Sequence, residues 1–200
     1  MDFEDVVRRR RMVRDYEDRP LPAGALDRLL ADAGRGPSAG FTQGSAFIAL
    51  EGREQTEMFW SHTFAGDEAR AAFTHQGLFR APAIVIPLAC KEAYLARYAL
   101  PDKAATPLDD EAVWPVPYWD VDAGFATMLL LLSVVDAGLG ALFFGIFGGE
   151  AQLLSTLGVP PAYLPIGAVA IGYPAEAERS PASGRRRRRP LEELVHKGHW

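Results

Sequence analysis

A chain of 200 residues with 48% hydrophobic and 24% charged residues has the size and composition of a single soluble domain spanning residues 1–200. Its formal net charge of −5 argues against nucleic acid as a partner, since nucleic acids select basic surfaces. One cysteine, Cys90, excludes an intrachain disulfide, and the N-terminus lacks the apolar run of a signal peptide, so we expect a cytoplasmic protein.

Two helices are predicted before the first strand. The first, residues 3–11, follows Asp2, a residue type that caps helix N-termini. The second follows Pro22, and its apolar residues recur at the spacing of one helix face until Gly34 ends it.

Four apolar segments predict strands. They are Ala46 to Leu50, Ala83 to Leu88, Ala141 to Phe147 and Gly167 to Tyr173. We expect the first two to be fully buried, with Pro87 placing the second near a sheet edge or a strand end. Because helical segments separate the strands, the pattern predicts an α/β or α+β sheet covered on both faces.

The segments between these strands differ in character. Residues 54 to 78 are rich in aromatic side chains and predict one or two helices whose aromatic face packs in the core or lines a pocket for a flat ligand. Residues 101–119, rich in proline and acidic residues, predict an exposed loop or lid. Asp120 is the predicted N-cap of an apolar helix, Val121 to Val135, that is central or at a subunit interface rather than in a membrane.

Arginines are concentrated at both ends of the chain, at positions 8–11 and 14 and at 185–189. They form either a solvated basic surface or a phosphate site, because guanidinium groups bind phosphate in a bidentate manner. The chain has no G-x-x-x-x-G-K-[ST] loop and no G-x-G-x-x-G after a strand, which leaves a small phosphorylated cofactor. The apolar residues of the tail, 176–200, predict that it docks, for example on another chain.

The loop GRGPSAGFTQGSAF, residues 34–47, has no catalytic signature. Its small residues allow the backbone to approach a flat ligand closely. The Ser38 hydroxyl and the Gln43 amide could reach the polar edge of such a ligand.

Taken in order, the motifs of this chain resemble the FMN-dependent nitroreductase superfamily. The matching segments are RRMVRDY (10–16), GPSAGFTQ (36–43), YWDVD (118–122), GLGALFFG (138–145), IGYP (171–174) and RRRPLEELVH (187–196). The resemblance covers nearly the whole chain. It implies an α+β fold, a three-layer α/β/α sandwich with a mixed, mostly antiparallel sheet, in an interlocked homodimer whose tails wrap the partner and whose FMN lies at the interface.

The resemblance also implies the cofactor-binding residues. Those matching the FMN segments are Arg10, Arg11, Met12 and Arg14 for the phosphate and ribityl chain; Pro37, Ser38, Ala39 and Gln43 for the loop along the ring; Phe143, Phe144 and Gly145 beside the ring; and Arg188 for the phosphate. At Gly145 the donor to flavin N5 can only be the backbone amide, which in the family favours two-electron hydride transfer.

Several positions depart from typical nitroreductases. Phe41 stands where an asparagine is usual, Gly44 and Ser45 where Pro-Trp is usual, and Met12 where a serine is usual. The Gly-Phe-x-Gln form of the loop is more similar to the branch that contains the flavin-fragmenting dimethylbenzimidazole synthase. Phe41 is therefore the candidate substrate-contacting residue.

The function implied by the resemblance is oxidoreduction. FMN accepts a hydride from NADPH or NADH and passes it to a small electron-poor aromatic acceptor, such as a nitroaromatic or a quinone, in a ping-pong cycle. Oxygen-dependent flavin fragmentation and a non-catalytic FMN carrier remain alternatives. No catalytic side chain or metal ligand is predicted; His62 and His75 are candidate substrate contacts within the aromatic segment.

Overall fold

The computed structural model describes residues 1–103, 105–176 and 187–200. In this part of the chain the strands are β1 (Ser45–Glu51), β2 (Ala83–Cys90), β3 (Gly140–Phe144), β4 (Tyr163–Pro165) and β5 (Ala168–Gly172). The helices are α1 (Phe3–Arg9), α2 (Ala25–Ala33), α3 (Arg53–Thr63), α4 (Asp67–Ala71), α5 (Lys91–Tyr98), α6 (Tyr118–Asp136) and α7 (Glu150–Thr156).

The strands form one sheet in the order β1-β2-β5-β3, with β4 pairing beside β2. All of these strand pairs are antiparallel, and the N-terminal segment adds a parallel bridge between Met12 and Ala141. The sheet is therefore mixed and mostly antiparallel, as the α+β prediction requires.

Helices cover both faces of the sheet and make a three-layer sandwich. On one face, Leu29 of α2 and Val134 of α6 pack in a core with Val85 of β2. On the other face, Trp60 of α3 packs in a second core with Ile84 of β2. Neighbouring residues of β2 thus enter opposite cores, since side chains alternate across a strand. This explains why the whole strand is apolar and buried.

Strand β1 contradicts the prediction of full burial. It lies at the sheet edge, and Leu50 is its one buried residue. Pro87 was predicted to mark an edge or a strand end, yet β2 is central. The proline is tolerated because it lies between the residues that pair with β5, 83–85, and those that pair with β4, 88–90. Its missing N–H therefore leaves no sheet partner unsatisfied.

Element boundaries differ from the predictions at several ends. Helix α1 ends at Arg9, and the Asp2 side chain makes no capping hydrogen bond. Helix α6 begins at Tyr118, so Asp120 lies in its first turn and is not its N-cap. Strand β3 ends at Phe144 rather than three residues later. The short elements α5, α7 and β4 were not predicted.

Helix α6 is long and apolar enough to cross a membrane by length and composition alone. Of its most apolar window, 44% is buried within the protein. Its buried residues Leu130, Leu131 and Val134 pack in the core with α2 and the sheet, as expected of a core helix.

We predict that Gly149→Ala destabilises the protein more than Gly158→Ala. Both glycines have left-handed backbones, with φ of 62° and 66°, so both alanines carry the same backbone penalty. A Cβ at Gly149 would also collide with the carbonyl oxygen of His62, whereas a Cβ at Gly158 would have no atom within 4 Å. The free energy of unfolding in urea should fall by about 1–3 kcal/mol more for Gly149→Ala. Equal losses would contradict the packing of α7 on α3.

Candidate functional site

A cavity of about 330 Å³ opens beside the end of β3. Helix α3, the N-terminal segment and the residues around His75 complete its walls. Its volume lies at the lower end of the range typical of small-molecule sites, roughly 300–1,000 Å³.

Aromatic side chains make most of the cavity wall. Trp60 stacks on Phe144 with ring centroids 5.8 Å apart and planes 13° apart. Phe64 meets Phe73 edge to face at 5.3 Å. The aromatic segment was predicted to serve either as core or as a pocket wall, and it does both: Trp60 is 1% exposed and also lines the cavity.

The N-terminal segment runs along β3 and so reaches the cavity. The Val13 amide donates to the Ala141 carbonyl at 2.9 Å, and the Phe143 amide donates to the Met12 sulfur at 3.5 Å. The methionine that replaces the usual serine therefore fixes the segment against the strand. Arg14, two residues further on, lines the cavity.

Four predicted cofactor-binding residues meet in this cavity. They are Arg14, Phe143, Phe144 and Gly145. Gly145 follows the last sheet pair, between Phe144 and Ala168, so its amide lies beyond the strand ladder. A Cβ there would come within 2.9 Å of the Phe147 ring.

The loop that contains Pro37, Ser38 and Ala39, here called the Pro-Ser-Ala loop, lies outside this cavity, against α5 and α6. The Ala39 amide donates to Asp122 at 2.8 Å, and Arg97 donates to the Gly40 carbonyl at 3.0 Å. The Ser38 hydroxyl accepts from the backbone amide of Gln43 at 2.9 Å. This hydrogen bond stabilises the loop itself. Pro37 to Gln43 are not among the described residues that line the cavity.

The same loop holds two residues in a strained conformation. Phe41 and Gln43 both have φ of 54°, a left-handed backbone that costs a non-glycine residue roughly 1–2 kcal/mol. Such strain persists where surrounding contacts over-determine the backbone, and here Asp122 and Arg97 do so. The loop thereby presents the Phe41 ring 78% exposed.

Sequence reasoning missed Asp122, the buried residue that anchors this loop. It is 4% exposed and the one charged residue among the described buried residues, and its side chain also accepts from the Tyr94 hydroxyl at 2.8 Å. Burial, together with this hydrogen bond, raises the pKa of Tyr94. The available signal was an acidic residue inside an otherwise apolar helix.

The predicted phosphate-binding arginines are spread over two segments. Arg10 is partly buried and Arg11 is exposed. Arg188 lies in the exposed C-terminal segment, where the side chains of Leu191 and Trp200 are 71% and 97% exposed. Positions 185 and 186 of the arginine run lie outside the described residues.

The two candidate histidines are separated by the structure. His75 lines the cavity. His62 instead bridges α3 and α7: its Nδ1 is 2.8 Å from the Met58 carbonyl and its Nε2 is 3.1 Å from the Thr156 hydroxyl. Among the described residues, no group of three or more His, Cys, Asp or Glu could hold a metal ion.

The cavity residues fit a flat aromatic ring that carries oxygen atoms. No carboxylate lines the cavity, whereas Arg14 supplies a guanidinium donor. The buried indole nitrogen of Trp60 has no hydrogen-bond partner among the described residues. The isoalloxazine ring of FMN is flat and presents carbonyl oxygens, so apolar walls with donor groups suit it.

Most of this chain matches known proteins in sequence. The sequence model of the nitroreductase family matches residues 7–173. A protein of Methanothermobacter thermautotrophicus named "Putative NADH dehydrogenase/NAD(P)H nitroreductase" is 24% identical over 180 residues, which cover 88% of this chain and 79% of that protein.

Solved structures share the fold. A nitroreductase family protein from Clostridium difficile has a TM-score of 0.70 at 21% identity and covers 100% of both chains. A structure from Desulfovibrio desulfuricans, described as a putative nitroreductase in complex with FMN, has a TM-score of 0.70 at 22% identity and covers 100% of this chain and 98% of that one.

Proposed function

This chain belongs to the nitroreductase family, and from that premise we propose that it is an FMN-dependent oxidoreductase. It uses NADPH or NADH to reduce small electron-poor aromatic acceptors, such as nitroaromatics or quinones, in two-electron steps of a ping-pong cycle. The observation that carries the proposal is the cavity that joins Arg14 to Phe143, Phe144 and Gly145. The NAD(P)H nitroreductase name of a relative and the FMN in a structural neighbour support it.

FMN, when bound, supplies the hydride-transfer chemistry. Arg14, with Arg10 and Arg11 beside it in sequence, would hold the phosphate and ribityl chain by charge-assisted hydrogen bonds. The segment Phe143 to Gly145 would lie along the ring, with the Gly145 amide as donor to N5. The aromatic wall around Trp60 would exclude water, which strengthens these polar contacts.

We further propose a homodimer with FMN at its interface. Helices α1 and α6 pack together and expose large apolar side chains: Phe3 is 73% exposed, Val7 46%, Phe125 49% and Met128 47%. A patch of this kind on a soluble protein marks an interaction surface. In the dimer, the Pro-Ser-Ala loop would complete the partner's cavity. The predicted wrapping tail is 176–200, of which residues 177–186 lie outside the described residues; the described part, 187–200, would contact the partner subunit.

If α6 lies at the dimer interface, acidic residues introduced on its exposed apolar side should separate the subunits. Phe125→Glu combined with Met128→Glu should convert the dimer to monomers of 21.8 kDa, measured by light scattering during size-exclusion chromatography. Removing each buried apolar side chain costs about 1.5–3 kcal/mol, and burying a carboxylate costs more. The control is Leu164→Glu in β4, where Leu164 is 62% exposed outside this patch. A monomeric wild type, or a dimer that survives both substitutions, would contradict the arrangement.

Three measurements on wild-type protein test the function itself. Protein purified without added flavin should be yellow; NADPH or NADH should bleach the visible flavin band in a stopped-flow instrument; and a quinone should restore it. Colourless protein that ignores added FMN would contradict the cofactor assignment. Yellow protein whose flavin no nicotinamide nucleotide bleaches would be a flavin carrier.

Flavin fragmentation is the second candidate reaction, favoured by the Gly40-Phe41-x-Gln43 loop. Chromatography of the flavin after aerobic cycling distinguishes it from the main proposal. Intact FMN supports an oxidoreductase, whereas loss of FMN with a new benzimidazole product supports fragmentation. The cytoplasmic location, without membrane or nucleic-acid partners, stays a prediction from composition.

A further inference from the structure

His75, a candidate substrate contact by sequence, is the one histidine among the described residues that line the cavity. It lines the same cavity as Arg14 and Gly145, and its side chain is exposed to solvent. Its ring meets Phe73 edge-on, with centroids 5.8 Å apart. Histidine therefore lies where a flat acceptor and bulk water are both within reach.

The backbone around His75 is held in place by the following turn. The Leu78 amide donates to the His75 carbonyl at 3.0 Å. The Gln76 side chain donates to the carbonyls of Arg70 and Phe73 at 2.9 and 2.7 Å. These bonds hold the backbone that carries the imidazole at the cavity wall.

The other polar groups of the lining are poor proton donors. The guanidinium of Arg14 does not release a proton in proteins. The Thr63 hydroxyl already donates to the Phe59 carbonyl within α3, at 3.0 Å. Histidine is the residue type that exchanges a proton readily near neutral pH. Among the described lining residues, His75 is the one histidine.

We propose that His75 is a catalytic residue that hydrogen-bonds an oxygen of the aromatic acceptor and donates the proton that accompanies hydride transfer. This inference rests on the proposed function. It also requires an acceptor with a carbonyl or nitro oxygen, because that oxygen must accept from His75, an exposed residue of the cavity lining.

The step balances for a quinone. Bound FMN would supply one hydride, taken from NAD(P)H, and a protonated His75 would supply one proton. Together they would add two hydrogens to the quinone, which becomes a hydroquinone, and His75 would be left neutral. Water returns a proton to His75 because the side chain is exposed.

The test compares His75→Gln and His75→Ala with the control His62→Gln. His62 lies in the same aromatic segment but bridges α3 to α7. In the wild type and each variant, FMN affinity is measured by flavin fluorescence, and reoxidation of the reduced flavin is followed anaerobically in single turnovers. The oxidants are a naphthoquinone, which takes up protons, and ferricyanide, which accepts electrons alone.

We expect both His75 variants to bind FMN as the wild type does and to react normally with ferricyanide. Reoxidation by the naphthoquinone should be slower by about 10²–10⁴-fold, the usual contribution of a general acid, and free imidazole should restore part of the rate of His75→Ala. His62→Gln should react with both oxidants at the wild-type rate.

Other outcomes overturn the inference. His75 variants that reduce the naphthoquinone at the wild-type rate would show that the proton comes from elsewhere. Equal slowing with ferricyanide, or loss of FMN, would make His75 a structural or flavin-binding residue. A wild-type protein that binds no FMN would instead refute the proposed function, so the two failures are distinguishable.

Discussion

Replacing Arg14 and Arg188 together with alanine should release FMN from the protein. A hydrogen bond to a charged group contributes about 1.5–3 kcal/mol, and 1.4 kcal/mol is a tenfold change in affinity. Each substitution should therefore raise the dissociation constant by about 10- to 100-fold, and the pair by about 10²–10⁴-fold if the two act independently. Titration of the apoprotein with FMN, followed by flavin fluorescence, measures the change.

The control for this experiment is Arg8→Ala. Arg8 belongs to the same N-terminal arginine run but lies on α1 and pairs with Asp5, so its loss should leave FMN affinity unchanged. Arg187→Ala and Arg189→Ala would identify which residue of the C-terminal run binds the phosphate. If the double variant keeps FMN as tightly as the wild type, the two arginine runs do not converge on the cofactor.

The parts of the fold that sequence predicted well are those where one local pattern had one explanation. The helical spacing that ends at Gly34 predicted α2 and its end, although the helix begins at Ala25 and leaves the predicted first-turn residue, Pro22, outside it. The continuous apolar run of β2 predicted burial on both faces, because both sheet faces carry helices. An apolar sequence does not indicate where a strand lies in the sheet, however. The burial of β1 was therefore predicted wrongly, because β1 lies at the sheet edge and is partly exposed there.

The candidate site was predictable to the extent that it is local. Arg14 and the segment Phe143 to Gly145 were singled out separately, and the pairing of the N-terminal segment with β3 brings them together. The cavity's opposite wall, with Trp60 and His75, comes from a segment that matches no quoted motif. Its rings could be recognised as aromatic from the sequence, but not assigned to the core or to a pocket.

The partners of Asp122 could not be predicted because they are remote in the chain. The Ala39 amide is 83 residues away and the Tyr94 hydroxyl 28 residues away. Neither distance corresponds to a local capping or turn pattern. A buried carboxylate needs such donors to offset its desolvation, so its chemistry demanded partners that only the tertiary structure identifies.

Asp122→Ala should therefore lower the free energy of unfolding by about 2–6 kcal/mol, because it leaves two buried or partly buried donors unsatisfied at about 1–3 kcal/mol each. Tyr94→Phe removes one donor and leaves the Ala39 bond intact, so it should cost less. The double variant should lose less stability than the sum of the two single changes, since the Tyr94 hydroxyl is then no longer left without a partner. Urea unfolding of the three variants measures these differences.

The same variants separate stability from cofactor binding. Ala39 lies in the loop proposed to face the flavin ring, so Asp122→Ala should weaken FMN binding as well as folding. Tyr94→Phe, which keeps the bond from the Ala39 amide to Asp122, should leave FMN affinity near the wild-type value. If both variants bind FMN equally well under conditions where they are fully folded, the buried carboxylate of Asp122 stabilises the fold alone. The strained backbone at Phe41 would then have no role in FMN binding that depends on Asp122.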